Sequence, residues 1–159
     1  MNWGSSIAMA MTSYAKRLTA QLYYKKGCHF VAAAILLDQN DGDLYVVLQL
    51  LCQGLEIMAK ALLLLKNFDK YQPLVEKYRH RLYPLVSDAL AEFKLNRLRP
   101  HTSAELENLS KMYSGHVFRY NRLACVLIDP KSISFKLTLR RTGAVIRLAD
   151  REMRRAFAE

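Results

Sequence analysis

The segment LYVVLQLLCQGLEIMAKALLLL, residues 44 to 65, constrains the fold more than any other part of the chain. Leu44, Val47, Leu51, Leu55, Met58, Leu62 and Leu65 recur every three or four residues, which stacks them on one side of an α-helix of about six turns. Apolar residues fill much of the remaining circumference, so such a helix has to be enclosed, by other helices or by lipid. Its length is close to the roughly 20 residues that cross a bilayer. Glu56 and Lys60 lie inside it, however, and an ionised side chain at the bilayer centre costs about 3 kcal/mol or more. Together with Gln49 and Gln53 they form one polar stripe, which predicts the central helix of a bundle with one wet edge and no membrane span. Asp43 stands immediately before this helix, where its carboxylate can accept from the unpaired amides of the first turn. Gly54 costs helix stability, and a close approach by a second backbone is the return it offers.

The rest of the chain supplies helices to cover that one. Only six Gly and four Pro occur in 159 residues that are 52% hydrophobic, a balance that favours helices over a turn-dense β fold. A first helix is predicted from about Ser5 to Leu37, with Met11, Tyr14, Leu18 and Leu22 on one face and Gly27 as a point where it bends or divides; DQNDGD, residues 38 to 43, is a turn. A third helical region starts near Tyr71 with Leu74, Tyr78, Leu82, Leu85 and Ala89 on one face. Pro84 has no amide hydrogen and its ring crowds the carbonyl of His80, so the backbone should kink or restart there. After the basic link KLNRLRPH, Thr102 and Glu105 have the spacing of a capping box that opens a fourth helix, whose face is Leu106, Leu109, Tyr113, Val117 and Tyr120 and which ends before Asp129. Ile133, Phe135, Leu137 and Leu139 alternate with polar residues as in a short strand near 132–139, although a lone strand needs a partner. A basic helix after Gly143 closes the chain. The expected fold class is all-α: a bundle of four to five main helices, with residues 1–130 as its core and residues 131–159 as a basic extension packed on the same domain.

Charge is distributed unevenly. Through Asp69 there are six basic and five acidic residues, a net of +1, whereas from Lys70 onward there are eighteen and nine, a net of +9. Such a field draws in phosphate polymers or an acidic protein partner, and it also describes a surface that merely keeps a domain in solution. Arg97, Arg99, Arg119, Arg122, Arg140, Arg141, Arg147, Arg151, Arg154 and Arg155 are candidates to track an RNA backbone, with Tyr113 or Tyr120 to stack on bases. The four at 147, 151, 154 and 155 fit an ordinary solvated helix face equally well. Cys28, Cys52 and Cys125 are odd in number and lack CxxC spacing, so neither a disulfide framework nor a zinc knuckle is indicated, and a reducing cytoplasm is the expected location. MNWGSSIAMAM has no early Lys or Arg and does not read as a secretory signal. Without a Gly-rich phosphate loop, a nucleophile elbow or a metal-ligand cluster, no cofactor and no metal is expected.

GLEIMAKALLLL followed by VEKYRHRLYPLVSDAL resembles the HEPN superfamily of helical nucleotide-binding and ribonuclease-like domains, over about the middle half of the chain. The matching positions are Glu56 and Lys60 on the long helix and Lys77, Tyr78 and His80 on the next; YSGHVFRY, residues 113 to 120, is similar to part of a later helix in some members. The resemblance implies a helical bundle, a homodimer, and RNA or a nucleotide as ligand. Catalytic members carry Arg, four to six residues, then His. Here the corresponding positions are Pro73, Leu74 and Val75 before His80, and Leu109, Ser110 and Lys111 before His116. Lys111 keeps the spacing without the planar fork that clamps a phosphate through two bonds. The resemblance therefore implies a catalytically degenerate binder.

Metal-independent RNA cleavage needs a base for the 2'-hydroxyl and a cation for the charged phosphate, and imidazole is suited to the first task. The candidate catalytic residues are His80, Glu56 and Lys60; the candidate ligand-binding residues are Lys77, Arg79, Arg81, Lys111, His116 and Arg119. Against this stand plainer readings: His80 as a half-buried histidine beside a proline break, and Glu56 with Lys60 as a helical i,i+4 pair worth a few tenths of a kcal/mol, roughly. Lys111 and His116 are out of line on a straight helix, so a local distortion is required before both can address one phosphate. Three functions are open to such a chain: an RNA- or nucleotide-binding dimeric module, a metal-independent endoribonuclease of toxin or phage-defence type, and a non-enzymatic module for a protein partner.

Overall fold

The computed structural model describes residues 11–120 and 126–158. Six α-helices are found among them: α1 (Ser13–Gln39), α2 (Leu44–Lys66), α3 (Phe68–Val75), α4 (Leu82–Glu92), α5 (Pro100–Ser114) and α6 (Lys136–Ala158), with a short 3-10 turn at Pro130–Ser132 before the last. The fold is an all-α bundle, and among the described residues it contains no strand. The part of the first predicted helix before Met11, as well as Arg122 and Cys125, lies outside the described residues.

The apolar periodicity of residues 44 to 65 does form the central helix. Asp43 caps α2 by accepting from the Val46 amide at 3.0 Å, and Leu48, Leu51, Leu55, Met58, Leu62 and Leu63 are almost completely buried. By length and composition α2 could cross a membrane; in this fold its apolar surface is covered by α1, α3, α4, α5 and α6. α1 runs unbroken through Gly27 because that glycine is a contact point and not a hinge. A Cβ on Gly27 would stand 3.0 Å from the Gly54 carbonyl oxygen, and one on Gly54 would stand 2.9 Å from the Gly27 carbonyl oxygen. The two helices therefore cross backbone against backbone, which only residues without a side chain permit.

The third helical region is split. α3 ends at Val75, residues 76–80 form turns, and α4 restarts at Leu82, so that Pro84 occupies its first turn, where a missing amide hydrogen costs nothing. Arg81 offers α4 no side-chain cap; instead the Tyr83 amide donates to Ser110 Oγ of α5 at 3.1 Å. The capping-box reading of Thr102 and Glu105 does not hold. Pro100 takes the first position of α5, two residues ahead of Thr102, and Glu105 faces inward and caps a different helix, accepting from the Thr138 amide at 2.6 Å and from the Ser134 hydroxyl.

That contact also explains why residues 132–139 form no strand. With its first turn capped by a buried carboxylate, α6 begins at Lys136 and buries Thr138, Thr142, Val145, Ala149 and Met153, a helical repeat in which two threonines conceal the apolar period. The described part of the predicted extension, residues 131–158, is thus built into the bundle, contributing Val145, Leu148, Ala149 and Met153 to the main core.

Candidate functional site

Glu56 is the centre of the polar structure inside the bundle. It sits on α2 and is 5% exposed. An ionised carboxylate at that depth is tolerable only if its oxygens are hydrogen-bonded and its charge is matched, and three groups do this. Lys60 Nζ lies 2.8 Å from Oε1, one turn along the same helix. The Tyr113 hydroxyl, from α5, donates to Oε2 at 2.6 Å. His80 Nδ1, from the turn between α3 and α4, is 3.2 Å from the same oxygen.

The tyrosine is held as a neutral phenol. Burial, with the hydrogen bond to Glu56 second, pushes its pKa well above the ordinary tyrosine range, and the charge of Arg119 opposes this only in part. A carboxylate can only accept, so His80 donates to it from Nδ1. This ring has a side-chain exposure of 35%, against 7% for Glu56. The pair therefore runs from a buried anion to a solvent-reaching imidazole.

The turn that carries His80 is fixed at both ends. Tyr78 donates from its hydroxyl to Asp88 Oδ2 of α4, and the Arg81 amide closes onto the Tyr78 carbonyl at 2.9 Å. Arg79 between them adopts the left-handed conformation (φ 49°), as does His116 (φ 57°) just after α5. For a residue with a Cβ this conformation costs about 1 kcal/mol. These two strained residues meet at one place: Lys77, Arg79, His80, Arg81, Ser114 and His116 line a shallow cleft of about 420 Å³, with no carboxylate among its lining residues. His116 stands edge-on to His80 with ring centroids 5.5 Å apart. Tyr120 is 56% exposed, and its ring lies 6.2 Å from that of His116.

Seven of the nine residues expected from the sequence thus converge: Glu56, Lys60, His80, Lys77, Arg79, Arg81 and His116. Lys111 does not join them. It stays on the outer face of α5, 3.4 Å from Glu107, because the distortion that would bring it into line with His116 occurs beyond it, after Ser114. Arg119 is exposed and acts on the site only through its charge near Tyr113. Tyr113, expected to stack on bases, is 2% exposed and cannot. Its role was missed, although a tyrosine on the apolar face of a helix always needs a partner for its hydroxyl, and a buried glutamate is one. The polar stripe of α2 is a wet edge only in its first half: Gln49 and Gln53 are half-buried, whereas Glu56 and Lys60 are both inside. Among the described residues no cluster of His, Cys, Asp and Glu could hold a metal ion, and Cys28 and Cys52 are free thiols.

Comparison with family models, with curated proteins and with solved structures gave no match to this chain.

Proposed function

We propose that this domain is a HEPN-like, homodimeric module that binds single-stranded RNA at the His80 cleft. The observation that carries the reading is the convergence of Lys77, Arg79, Arg81, His80 and His116 on one concavity that no acidic residue lines. Unbalanced cations held together by a strained turn favour a polyanion, and guanidinium groups suit phosphate oxygens. Tyr120 at the rim supplies a face for a base. The buried Glu56 network gives the turn a fixed anchor, which ties the family-like Glu56, Lys60 and His80 to the placement of the cations. The C-terminal half's charge excess supports RNA over a protein partner.

A second reading, cleavage, is favoured by the imidazole pair. His80, oriented by a carboxylate, stands edge-on to His116 with ring centroids 5.5 Å apart, so two imidazoles in one cleft are available as general base and general acid. Incubating labelled single-stranded RNA with the protein in the absence of divalent metal, resolved on a gel that also scores binding, separates the readings. Binding without cleavage that is weakened by substituting Lys77, Arg79 and Arg81 with Gln supports the module. Cleavage that disappears in both His80→Ala and His116→Ala moves the assignment to a ribonuclease. Neither binding nor cleavage contradicts both. Mass by light scattering at the working concentration tests the dimer, and a monomer would remove it.

A further inference from the structure

The face of α1 that its apolar repeat marks is not the face that the bundle covers. Met11, Tyr14, Leu18 and Leu22 follow one another at three or four residues, which sets them along one side of the helix. Tyr14 is 61% exposed and Leu22 59%, with Met11 exposed as well and Leu18 half-buried. The buried residues of α1 are Ala20, Gly27, Val31 and Ala34. The helix thus turns small side chains inward, as its close crossing with α2 at Gly27 and Gly54 requires, and leaves larger ones outside. Phe157, in the last turn of α6, extends the patch: its ring stands edge-on to Tyr14 with centroids 6.3 Å apart. Arg17 fixes that helix end beside α1 by donating from Nη1 to the Ala156 carbonyl at 2.9 Å. Large apolar side chains aligned on one surface, in place of scattered singly, mark a face that another apolar phase covers.

We propose that this face of α1 rests on an anionic lipid surface, with the helix lying in the plane of the interface. Charge selects the occupant. The sequence has no Asp or Glu from Thr12 to Leu37, and Lys25 and Lys26, one turn beyond Leu22, are exposed and flank the line of the stripe. Lys16 is already taken by Asp69 at 2.7 Å, so these two lysines are the cations that the face presents. A second copy docking through the same face would bring the same lysines and no carboxylate to meet them. Anionic headgroups supply that countercharge at every point of contact. The lipid surface also suits the side chains: tyrosine rings settle at headgroup level, and lysine stems cover apolar surface while their ammonium groups reach the headgroups. An apolar stripe bordered by lysines is the composition of helices that lie in a membrane interface. The His80 cleft is built from other elements, so this proposal does not rest on RNA binding.

The test is co-sedimentation of the full chain with vesicles of phosphatidylcholine alone and of phosphatidylcholine mixed with phosphatidylserine. It is run at physiological salt, where the long-range field of the basic C-terminal half is screened beyond about 8 Å. The expected result is binding to the mixed vesicles and little to the neutral ones. Tyr14→Gln and Leu22→Gln in one chain should weaken that binding about tenfold or more, the factor carried by withdrawing large apolar side chains from the bilayer. Both positions are exposed, so the melting curve of this variant should match the parent's. Lys25→Gln and Lys26→Gln should weaken binding to the mixed vesicles about fivefold per lysine. The Lys77→Gln, Arg79→Gln, Arg81→Gln variant should bind vesicles as the parent does, which separates failure here from failure of the RNA-binding reading. Parent-like binding by the Tyr14 and Leu22 variant, or equal binding to both kinds of vesicle, would overturn the proposal. Binding to neither would also overturn it and give the face to an acidic protein partner. A dimer, seen by light scattering, that this same variant converts to a monomer would overturn it in favour of a second copy.

Discussion

Replacing Glu56 by Gln keeps the side chain's size and removes its charge, with a different consequence for each of its three partners. Lys60 has 11% side-chain exposure and loses the carboxylate 2.8 Å away that neutralises it. Removing one partner of a buried ion pair costs about 3–5 kcal/mol, because the other charge is left uncompensated. The amide oxygen of Gln can still accept from Tyr113, so that bond contributes little to the loss. His80 is partly solvated, and water takes over most of its share. The expected destabilisation is therefore about 3 kcal/mol, which at a urea slope near 2 kcal/mol per M lowers the midpoint by about 1.5 M. Urea unfolding followed by circular dichroism measures it. Adding Lys60→Met to the same chain removes the stranded cation and should recover at least about 1 kcal/mol, the coupling expected of residues in contact. A Glu56→Gln midpoint within about 0.3 M of the parent, or a double variant no better than the sum of its singles, would refute the claim that the α2 pair is a buried, mutually dependent unit.

Other expectations bear on the scaffold. Gly54→Ala should cost about 2 kcal/mol, since its new Cβ meets backbone atoms that cannot move aside, and Tm should fall by about 4–8 °C. Gly143→Ala should do the opposite by up to about 1 kcal/mol: its Cβ meets only Arg147 Nη1 at 3.7 Å, and Ala is the better helix former. A scan that lowers Tm equally for both would contradict the backbone contact at Gly54. Glu105→Ala strips the acceptor from the buried Thr138 amide and should cost about 1–3 kcal/mol, with hydrogen exchange at Thr138 accelerated while α2 amides remain protected; unchanged exchange there would show that α6 does not depend on this cap. The pKa of Tyr113 is raised in the folded chain, so its contribution to stability is complete below about pH 10, the unfolded value, and is lost as pH climbs toward the folded value. The urea midpoint should fall between about pH 9 and 11, less steeply in Tyr113→Phe; identical slopes would remove that tyrosine from the alkaline transition.

What could be read from the sequence was local. The 3.6-residue repeat of α2, its Asp43 cap and the break forced by Pro84 each depend on residues within a turn or two of one another, and so does the reading of Gly54 as a close contact. The polar set Glu56, Lys60 and His80 was identifiable by residue type, but its assembly was not. Tyr113 lies 57 residues from Glu56, and only the packing of α5 across α2 brings them together. Glu105 illustrates the converse, where a locally plausible cap is taken by a helix 33 residues away. The start of α6 misled for a related reason. Ile133 and Phe135 precede the helix, Leu137 and Leu139 lie within it, and four alternating apolar positions are too few to separate an extended lead-in from a strand.

The central claim is that the turn carrying His80 holds a phosphate backbone. Its most direct test is the salt dependence of single-stranded RNA binding, followed by fluorescence anisotropy from low to physiological salt, for the parent chain and for a Lys77→Gln, Arg79→Gln, Arg81→Gln variant. Three contacts at about −0.7 per phosphate predict a slope of about −2 in log K against log salt. In the variant that slope should approach zero while the melting temperature is kept. An unchanged slope in the triple variant would place the RNA elsewhere on the molecule, and a parent affinity indifferent to salt would contradict phosphate recognition altogether.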